Sequence, residues 1–191
     1  MSSLHSVCVY CGSSARVRDV YLAAAGEMGR ALAGRGLTIV YGGGRTGLMG
    51  ALADAALAAG GAVIGVIPDH FYTADRAHSG LTALHVVASM HERKARMAGL
   101  SQGFLALPGG YGTFEELFEI LTWAQIGLHT HPIGLLNTQG YFDPLLALID
   151  HAGAEGFLEK ARPVRPIAEP EPLRLLGRLI EAEHAAKEES G

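Results

Sequence analysis

The feature that most constrains the fold of this chain is a regular alternation of short apolar runs with longer amphipathic segments. Most of the apolar runs are continuous and show no apolar–polar alternation, which is typical of strands buried on both faces of a sheet. Strands that alternate with helices predict an α/β protein with a doubly wound parallel sheet. The predicted strands are 6–10, 38–41, 62–67, 85–87, 104–107, 133–136 and 164–167.

The amphipathic segments predict helices on both faces of this sheet of about seven strands. They cover 20–34, 48–59, 90–100, 114–126, 142–154 and 173–184. A chain of 191 residues with no repeat and no linker is expected to form a single Rossmann-like, nucleotide-binding domain over 1–180. Residues 181–191 carry four glutamates against one lysine, and we expect them to form an acidic C-terminal tail.

Charge and hydropathy exclude several classes of protein. The net charge is −4, of which −3 lies in 181–191, so the remaining body has no basic field for DNA or RNA. The uncharged stretches 55–68 and 97–114 are too short or too interrupted by glycine and proline to span a membrane. The N-terminus lacks the charged and apolar segments of a signal peptide, so we expect a cytoplasmic protein.

Cysteine and histidine usage gives no support for a metal or redox site. Cys8 lies inside a predicted strand and Cys11 follows it, which favours small buried thiols over a redox or metal-binding pair. His129 and His131 are too close in sequence for one site on regular structure, and no third ligand is evident. We therefore expect neither a metal nor a cofactor.

The first glycine-rich loop, GGGRTGLMG at 42–50, follows the second predicted strand. Gly42, Gly44 and Gly47 match the dinucleotide fingerprint, which would indicate a nicotinamide-dependent oxidoreductase, but that fingerprint usually follows the first strand. We favour a backbone nest that binds part of an anionic ligand at the start of the next helix. A purely structural turn is the other alternative.

The second loop, LPGGYGTFEE at 107–116, follows the buried strand at 104–107 and is more specific. Three glycines within four positions allow the backbone to approach a ligand, and Thr113 is predicted to cap a helix whose first amides favour an anion. The loop lacks the lysine of a Walker P-loop, so a nucleoside triphosphate is not the expected ligand. Glu116 either completes a capping box with Thr113 or faces a developing positive charge.

The segment SMHERKARM at 89–97 places Arg93, Lys94 and Arg96 near the start of a helix, where basic residues oppose the helix dipole. One interpretation is a solvated helix face on which Glu92 pairs with Arg96. Its position after a predicted strand favours the other interpretation, which is a binding site for an anionic substrate.

Taken together, CVYCGSS, GGGRTGLMG, SMHERKARM and LPGGYGTFEELFEILTWAQIG resemble the LOG (lonely guy) proteins over about residues 7–157. These are cytokinin riboside 5′-monophosphate phosphoribohydrolases, which are also labelled lysine decarboxylases. No pyridoxal-binding context surrounds any of the three lysines, so we do not favour that label. The resemblance implies hydrolysis of the N-glycosidic bond of a nucleoside 5′-monophosphate, AMP included, to a free base and ribose 5-phosphate.

The resemblance also implies roles for individual residues. Glu116 would stabilise an oxocarbenium-like sugar cation, and Arg93 would be catalytic or would orient the substrate. Asp75 stands where relatives have a glutamate, so its side chain has a shorter reach. The substrate-binding residues implied are Ser13, Gly44, Asp75, Met90, Lys94, Gly109, Gly110, Tyr111, Gly112, Thr113, Glu115 and Thr122.

Two further expectations accompany the resemblance. Family members of this length resemble homodimers whose pocket is completed by the partner subunit. The alternative to an enzyme is a non-catalytic nucleotide or molybdenum-cofactor carrier, since such carriers share the fold and a glycine-rich loop.

Overall fold

A computed structural model describes residues 4–159 and 164–188. Within these ranges one sheet of seven strands, all parallel, has the order β4-β3-β2-β1-β5-β6-β7. The strands are β1 Ser6–Tyr10, β2 Thr38–Tyr41, β3 Val63–Pro68, β4 Ala83–Val87, β5 Phe104–Ala106, β6 Ile133–Leu136 and β7 Ile167–Glu169.

An α-helix connects each successive pair of strands except β3 and β4, and the predicted doubly wound α/β architecture is confirmed. Two short 3₁₀ turns, Asp69–Phe71 and Thr138–Gly140, follow β3 and β6. The helices are α1 Asp19–Gly34, α2 Gly47–Ala58, α3 Met90–Gly99, α4 Tyr111–Gln125, α5 Asp143–Ala154 and α6 Pro172–Glu188.

The residues of β1 alternate between two cores, one on each face of the sheet. Val7 and Val9 pack in the core formed with α1, α2 and α6, whereas Cys8 and Tyr10 pack in the core formed with α3, α4 and α5. Because both faces are covered, every residue from Val7 to Tyr10 is buried. This double burial explains why the strands are continuous apolar runs in the sequence.

The two cysteines lie where the sequence predicts. Cys8 and Cys11 are free and buried, and burial raises the pKa of both thiols. A thiol in this environment stays protonated and unreactive at neutral pH. Their interpretation as small buried side chains is confirmed.

The C-terminal part of the chain differs from the sequence prediction in two places. The last strand is Ile167–Glu169 rather than 164–167, because Pro166 has no N–H to donate to the neighbouring β6. Helix α6 continues to Glu188, and Glu183 within it is 2% exposed. The first eight residues of the segment expected to be a solvated tail are therefore helical, while 189–191 lie outside the described residues.

The strand order places one crevice at the carboxyl edge of the sheet. The chain runs outward from β1 through β4 and then returns to β5 on the other side of β1. Loops that follow β1 and β5 therefore diverge to opposite faces, and ligands bind at such a switch point in open α/β sheets.

Candidate active site

Two adjoining cavities occupy this crevice, with volumes of about 580 and 460 Å³. We call them the first lobe, which the 108–113 loop lines, and the second lobe, which the 42–46 loop lines. Their sizes are those of small-molecule sites. Both lobes are lined by Ser13, Met49, Arg93 and Gly112, so these residues mark the junction.

A buried ion pair, Arg93–Glu116, lies at this junction. Arg93 Nη1 donates to Glu116 Oε1 at 2.6 Å, and the two residues are 7% and 5% exposed. Burial raises the pKa of Glu116, whereas the adjacent Arg93 guanidinium opposes that rise. The pair gives the crevice a carboxylate that is held in place in a region with little water.

Local sequence and tertiary contacts together position Arg93. Helix α3 begins at the N-cap Ser89, whose Oγ accepts from the Glu92 N–H at 3.1 Å, and Glu92 Oε2 accepts at 3.0 Å from the N–H of Ala88, the residue before the cap. Glu92 thus stabilises the helix start. The orientation of the guanidinium is fixed by a hydrogen bond that Arg93 Nε donates to the Val66 carbonyl at 3.1 Å.

Gly42 gives the guanidinium its space. A Cβ at this position would collide with Arg93 Nη2 and would lie 3.0 Å from the Met49 Cε. The glycine at this position of the loop after β2 therefore leaves the space that the Arg93 guanidinium occupies in the ion pair.

Helix α4 begins at Tyr111, three residues earlier than predicted, and Gly110 is its N-cap. Thr113 lies in the first turn, so its predicted capping role and the capping box with Glu116 are both wrong. The Glu116 carboxylate accepts from the Arg93 guanidinium instead, because a charged donor forms a stronger hydrogen bond than a backbone amide does. The amides of the first turn have no acceptor within an α-helix and lie beside the first lobe.

The 108–113 loop is pressed against the loop that follows β1. The Gly12 N–H donates to the Pro108 carbonyl at 3.1 Å. A Cβ at Gly109 would collide with Thr113 Oγ1 and would lie 2.8 Å from the Gly12 nitrogen. The glycines thus allow two backbone segments and the start of α4 to meet at one wall of the cavity.

Part of the anion nest predicted at the start of α2 is paired within the protein. The Leu48 and Met49 N–H groups donate to the Gly12 carbonyl at 3.0 and 3.3 Å. The Arg45 N–H donates to the Arg76 carbonyl at 3.0 Å, so this loop is also paired with the segment after β3. Three amides of this loop and helix start are thus engaged within the protein, and ligand binding by the others stays a prediction.

The crevice brings together ten of the predicted site residues. They line one or both lobes and comprise Ser13, Gly44, Asp75, Met90, Arg93, Gly109, Gly110, Gly112, Thr113 and Glu116.

Four of the predicted site residues line neither lobe in the part of the chain that the structure describes, and these are Lys94, Tyr111, Glu115 and Thr122. Lys94 contacts Glu115 and also Glu119, the latter at 3.0 Å, so its charge is matched on α4. The Tyr111 side chain is 92% exposed, and Thr122 lines a separate groove between α4 and α5.

Other residues at the lobes were not singled out from the sequence. Tyr21 and Tyr141 line the first lobe, whereas Phe71 and Arg76 line the second. Tyr141 follows the carboxyl end of β6, and the rule that pointed to the other loops would have pointed to it. Tyr21 lies on α1, and the sequence carries no comparable signal for it.

Residues 4–159 and 164–188 contain neither a metal-binding cluster nor a membrane-spanning helix. No cluster of three or more histidine, cysteine, aspartate or glutamate side chains is arranged to hold a metal ion there. None of the helices in the same ranges has the length and hydropathy needed to cross a bilayer.

Fold and site together define an α/β protein in which a glycine-rich helix start lies beside a buried carboxylate–guanidinium pair. A family model described as "Possible lysine decarboxylase" matches residues 49–175. The "Cytokinin riboside 5'-monophosphate phosphoribohydrolase" of Rhodococcoides fascians is 53% identical over 163 residues, 85% of this chain and 82% of that protein. The chain therefore belongs to the LOG family, as its sequence motifs predict.

A second relative agrees with this assignment, and a solved structure shares the fold. The rice (Oryza sativa subsp. japonica) "Probable cytokinin riboside 5'-monophosphate phosphoribohydrolase LOGL1" is 50% identical over 153 residues, 80% of this chain and 69% of that protein. The molybdenum cofactor binding protein of Rippkaea orientalis has a TM-score of 0.69 at 20% identity, covering 95% of this chain and 98% of that chain. At that identity the second likeness shows a shared fold and nothing about ligands.

Proposed function

We propose that this chain hydrolyses the N-glycosidic bond of nucleoside 5′-monophosphates and releases a free base and ribose 5-phosphate. The observation that carries the proposal is the buried Arg93–Glu116 pair, which lies between two lobes and beside the start of α4. Relatives at about half identity are named as enzymes of this class, which supports the same activity here.

The first lobe suits the sugar phosphate. The amides at the start of α4 and the dipole of this helix, which is 15 residues long, favour a dianionic group. Thr113 adds a hydroxyl at the same wall, and Arg16 and Arg18 lie at this lobe as well. A phosphate bound here would place the attached ribose towards Glu116.

Glu116 would then act on the cation that develops as the bond breaks. The C–N bond to the base cleaves with its electrons leaving on the base, and the sugar becomes oxocarbenium-like. The Glu116 carboxylate stabilises that charge and orients a water, whose oxygen bonds to the anomeric carbon and whose proton is transferred towards the base. Arg93 holds the carboxylate in position and supports the departing side.

The second lobe suits the base. Its wall includes Ile67, Pro68, Phe71 and Met90, which offer an apolar surface for an adenine and an N6 substituent. Asp75 lies in the same lobe and can accept a hydrogen bond from a ribose hydroxyl. The substrate class that fits is AMP or an N6-substituted adenosine monophosphate.

We also propose that the active form is a homodimer. A groove of about 340 Å³ between α4 and α5 contains Phe118, which is 43% exposed, and nearby Leu148 on α5 is 56% exposed. Thr122 lines this groove, so a second copy seated there would cover a residue that the family resemblance assigns to the site. Sedimentation equilibrium of the wild type and of Phe118→Glu tests this, since the variant should be a monomer. A wild type that sediments as a monomer would contradict it.

A substrate panel tests the activity. Isopentenyladenosine 5′-monophosphate, AMP and the corresponding nucleosides are incubated with the protein, and released base is measured by chromatography. We expect base from the monophosphates and at least about a hundredfold less from the nucleosides, because the phosphate contacts would be lost. Equal cleavage of nucleoside and nucleotide, or no base from either, would contradict the proposal. The cytoplasmic location stays a prediction, which cell fractionation can check.

A further inference from the structure

The side chain of Tyr141 reaches the glycine loop from a distant part of the chain. Its hydroxyl donates a hydrogen bond to the Gly109 carbonyl oxygen, with 2.5 Å between the two oxygens, across 32 positions of sequence. Tyr141, Gly109 and Gly110 all line the first lobe. The bonded carbonyl therefore lies at the wall where we place the phosphate.

This contact acts on the one peptide of the 108–113 loop that joins two glycines. Neither Gly109 nor Gly110 carries a Cβ, so the peptide between them rotates at little steric cost. In a trans peptide the Gly109 carbonyl and the Gly110 N–H point in opposite directions, and fixing one fixes the other. Rotation of this peptide would exchange a hydrogen-bond donor for an acceptor at the cavity wall.

The Tyr141 ring is held firmly enough to impose one orientation. It makes an edge contact with Tyr21, with ring centroids 5.8 Å apart, and another with the buried Phe142 at 5.1 Å. On the other side of the loop, Gly109 is packed against Gly12 and Thr113. The hydroxyl is thus a fixed donor that faces a loop with little room to move away.

The electrostatic consequence concerns anion binding. A carbonyl oxygen without a donor presents negative potential to a phosphate, and a hydroxyl that donates to it removes much of that repulsion. We propose that Tyr141 is a positioning residue, which orients the Gly109–Gly110 peptide and masks the Gly109 oxygen so that the first lobe binds a phosphate group. This inference rests on the proposed function, since it takes the first lobe as the phosphate site.

The variant Tyr141→Phe tests the inference because it removes the hydroxyl and keeps the ring contacts. Calorimetry gives the affinities for ribose 5-phosphate and adenine, and steady-state assays give KM and kcat for AMP. We expect the ribose 5-phosphate dissociation constant and KM to rise about tenfold, as for the loss of one hydrogen bond at an anion site. Adenine affinity and kcat should change less than about threefold, because neither depends on the phosphate contact.

Tyr72→Phe is the matched control. Tyr72 is 53% exposed and lies outside both lobes, so the same chemical change there should leave all four quantities unchanged. Unchanged ribose 5-phosphate affinity in Tyr141→Phe would overturn the inference. So would equal weakening of ribose 5-phosphate and adenine with a lowered Tm, which would indicate a general structural role. A wild type that binds no ribose 5-phosphate would overturn the proposed function, and this inference with it.

Discussion

Arg93 and Glu116 lie 23 positions apart, on helices that follow different strands, and meet at 2.6 Å in the crevice of the sheet. Each is nearly inaccessible to water, and neither belongs to the two hydrophobic clusters of the core. A buried ion pair contributes little net stability, since the cost of desolvating two charges offsets their attraction. Its position between the two lobes is consistent with a catalytic rather than a stabilising role.

Loss of one partner of this pair should cost stability as well as activity. Arg93→Ala leaves the Glu116 carboxylate buried without its cation, which typically costs about 3–5 kcal/mol. We expect no measurable hydrolysis of AMP and a large fall in the free energy of unfolding, measured by urea denaturation. The double variant Arg93→Ala/Glu116→Gln should be more stable than Arg93→Ala by at least about 1 kcal/mol, because no unpaired charge remains. A double variant that is less stable than Arg93→Ala would contradict the view that the Arg93 cation compensates the buried Glu116 carboxylate.

The space that Gly42 leaves for the guanidinium predicts a second effect. In Gly42→Ala the new methyl collides with Arg93 Nη2, so the guanidinium must shift. A displacement of about 1 Å at a catalytic group can cost about a hundredfold in rate, and we expect a fall in kcat of that order. The matched control is Gly177→Ala in α6, where a Cβ meets nothing within 4 Å. Full activity in Gly42→Ala would show that the position of Arg93 is not critical.

The pH dependence should report the ionisation of Glu116. Burial raises the pKa of Glu116, and the nearby Glu115 adds to the rise, while Arg93 opposes it. The reaction requires the carboxylate, so kcat should fall as the pH is lowered, with a midpoint above the ordinary pKa of a glutamate. Glu115→Gln should move this acid limb to lower pH, because one neighbouring negative charge is removed. A limb that moves to higher pH in this variant would contradict the assignment to Glu116.

The raised pKa of Glu116 also affects the free energy of unfolding, and this effect depends on pH in the opposite direction to kcat. A raised pKa means that the folded protein binds this proton more tightly than the unfolded chain does. The contribution of Glu116 to the free energy of unfolding is therefore largest below its unfolded pKa and is lost as the pH rises through the folded one.

A variant of Lys94 distinguishes between the two interpretations of the basic segment 89–97, a solvated helix face and a substrate-binding site. Its ammonium contacts Glu115 and Glu119 on α4 and lines neither lobe among the described residues. We expect Lys94→Met to lower the free energy of unfolding by about 1 kcal/mol, as for partly exposed ion pairs, and to change KM for AMP less than about threefold. A tenfold rise in KM with unchanged stability would instead support the substrate-binding role that the family resemblance implies.

Much of this arrangement could be predicted from the sequence, and the failures have physical causes. The continuous apolar runs predicted the strands, and the glycine-rich loops that follow them predicted the crevice at the carboxyl edge of the sheet. However, Thr113 and Glu116 have the same spacing as Ser89 and Glu92, and only Ser89 caps its helix with its side chain. Local spacing alone could not distinguish them, because the deciding contact of Glu116 is with Arg93, far away in sequence.

Residues that act from distant elements were the hardest to find. The Tyr141 hydroxyl donates a hydrogen bond to the Gly109 carbonyl because the fold brings the two residues together, and no short sequence motif contains both. Two of the amides predicted as part of an anion site at the start of α2 donate to the Gly12 carbonyl, which belongs to another loop and could not be identified as their partner from the sequence. Both cases required the tertiary arrangement of loops at the carboxyl edge of the sheet.

The most direct test of the catalytic account is the turnover of Glu116→Gln at saturating AMP, measured with the AMP dissociation constant of the same preparation. Gln keeps the size of the side chain and removes its charge, and Glu119→Gln, on the same helix but outside both lobes, is the control. We predict that kcat falls by about a thousandfold in Glu116→Gln while AMP affinity stays within about threefold. A variant that retains wild-type turnover, or that loses turnover only by failing to bind AMP, would contradict the role of Glu116 at the sugar.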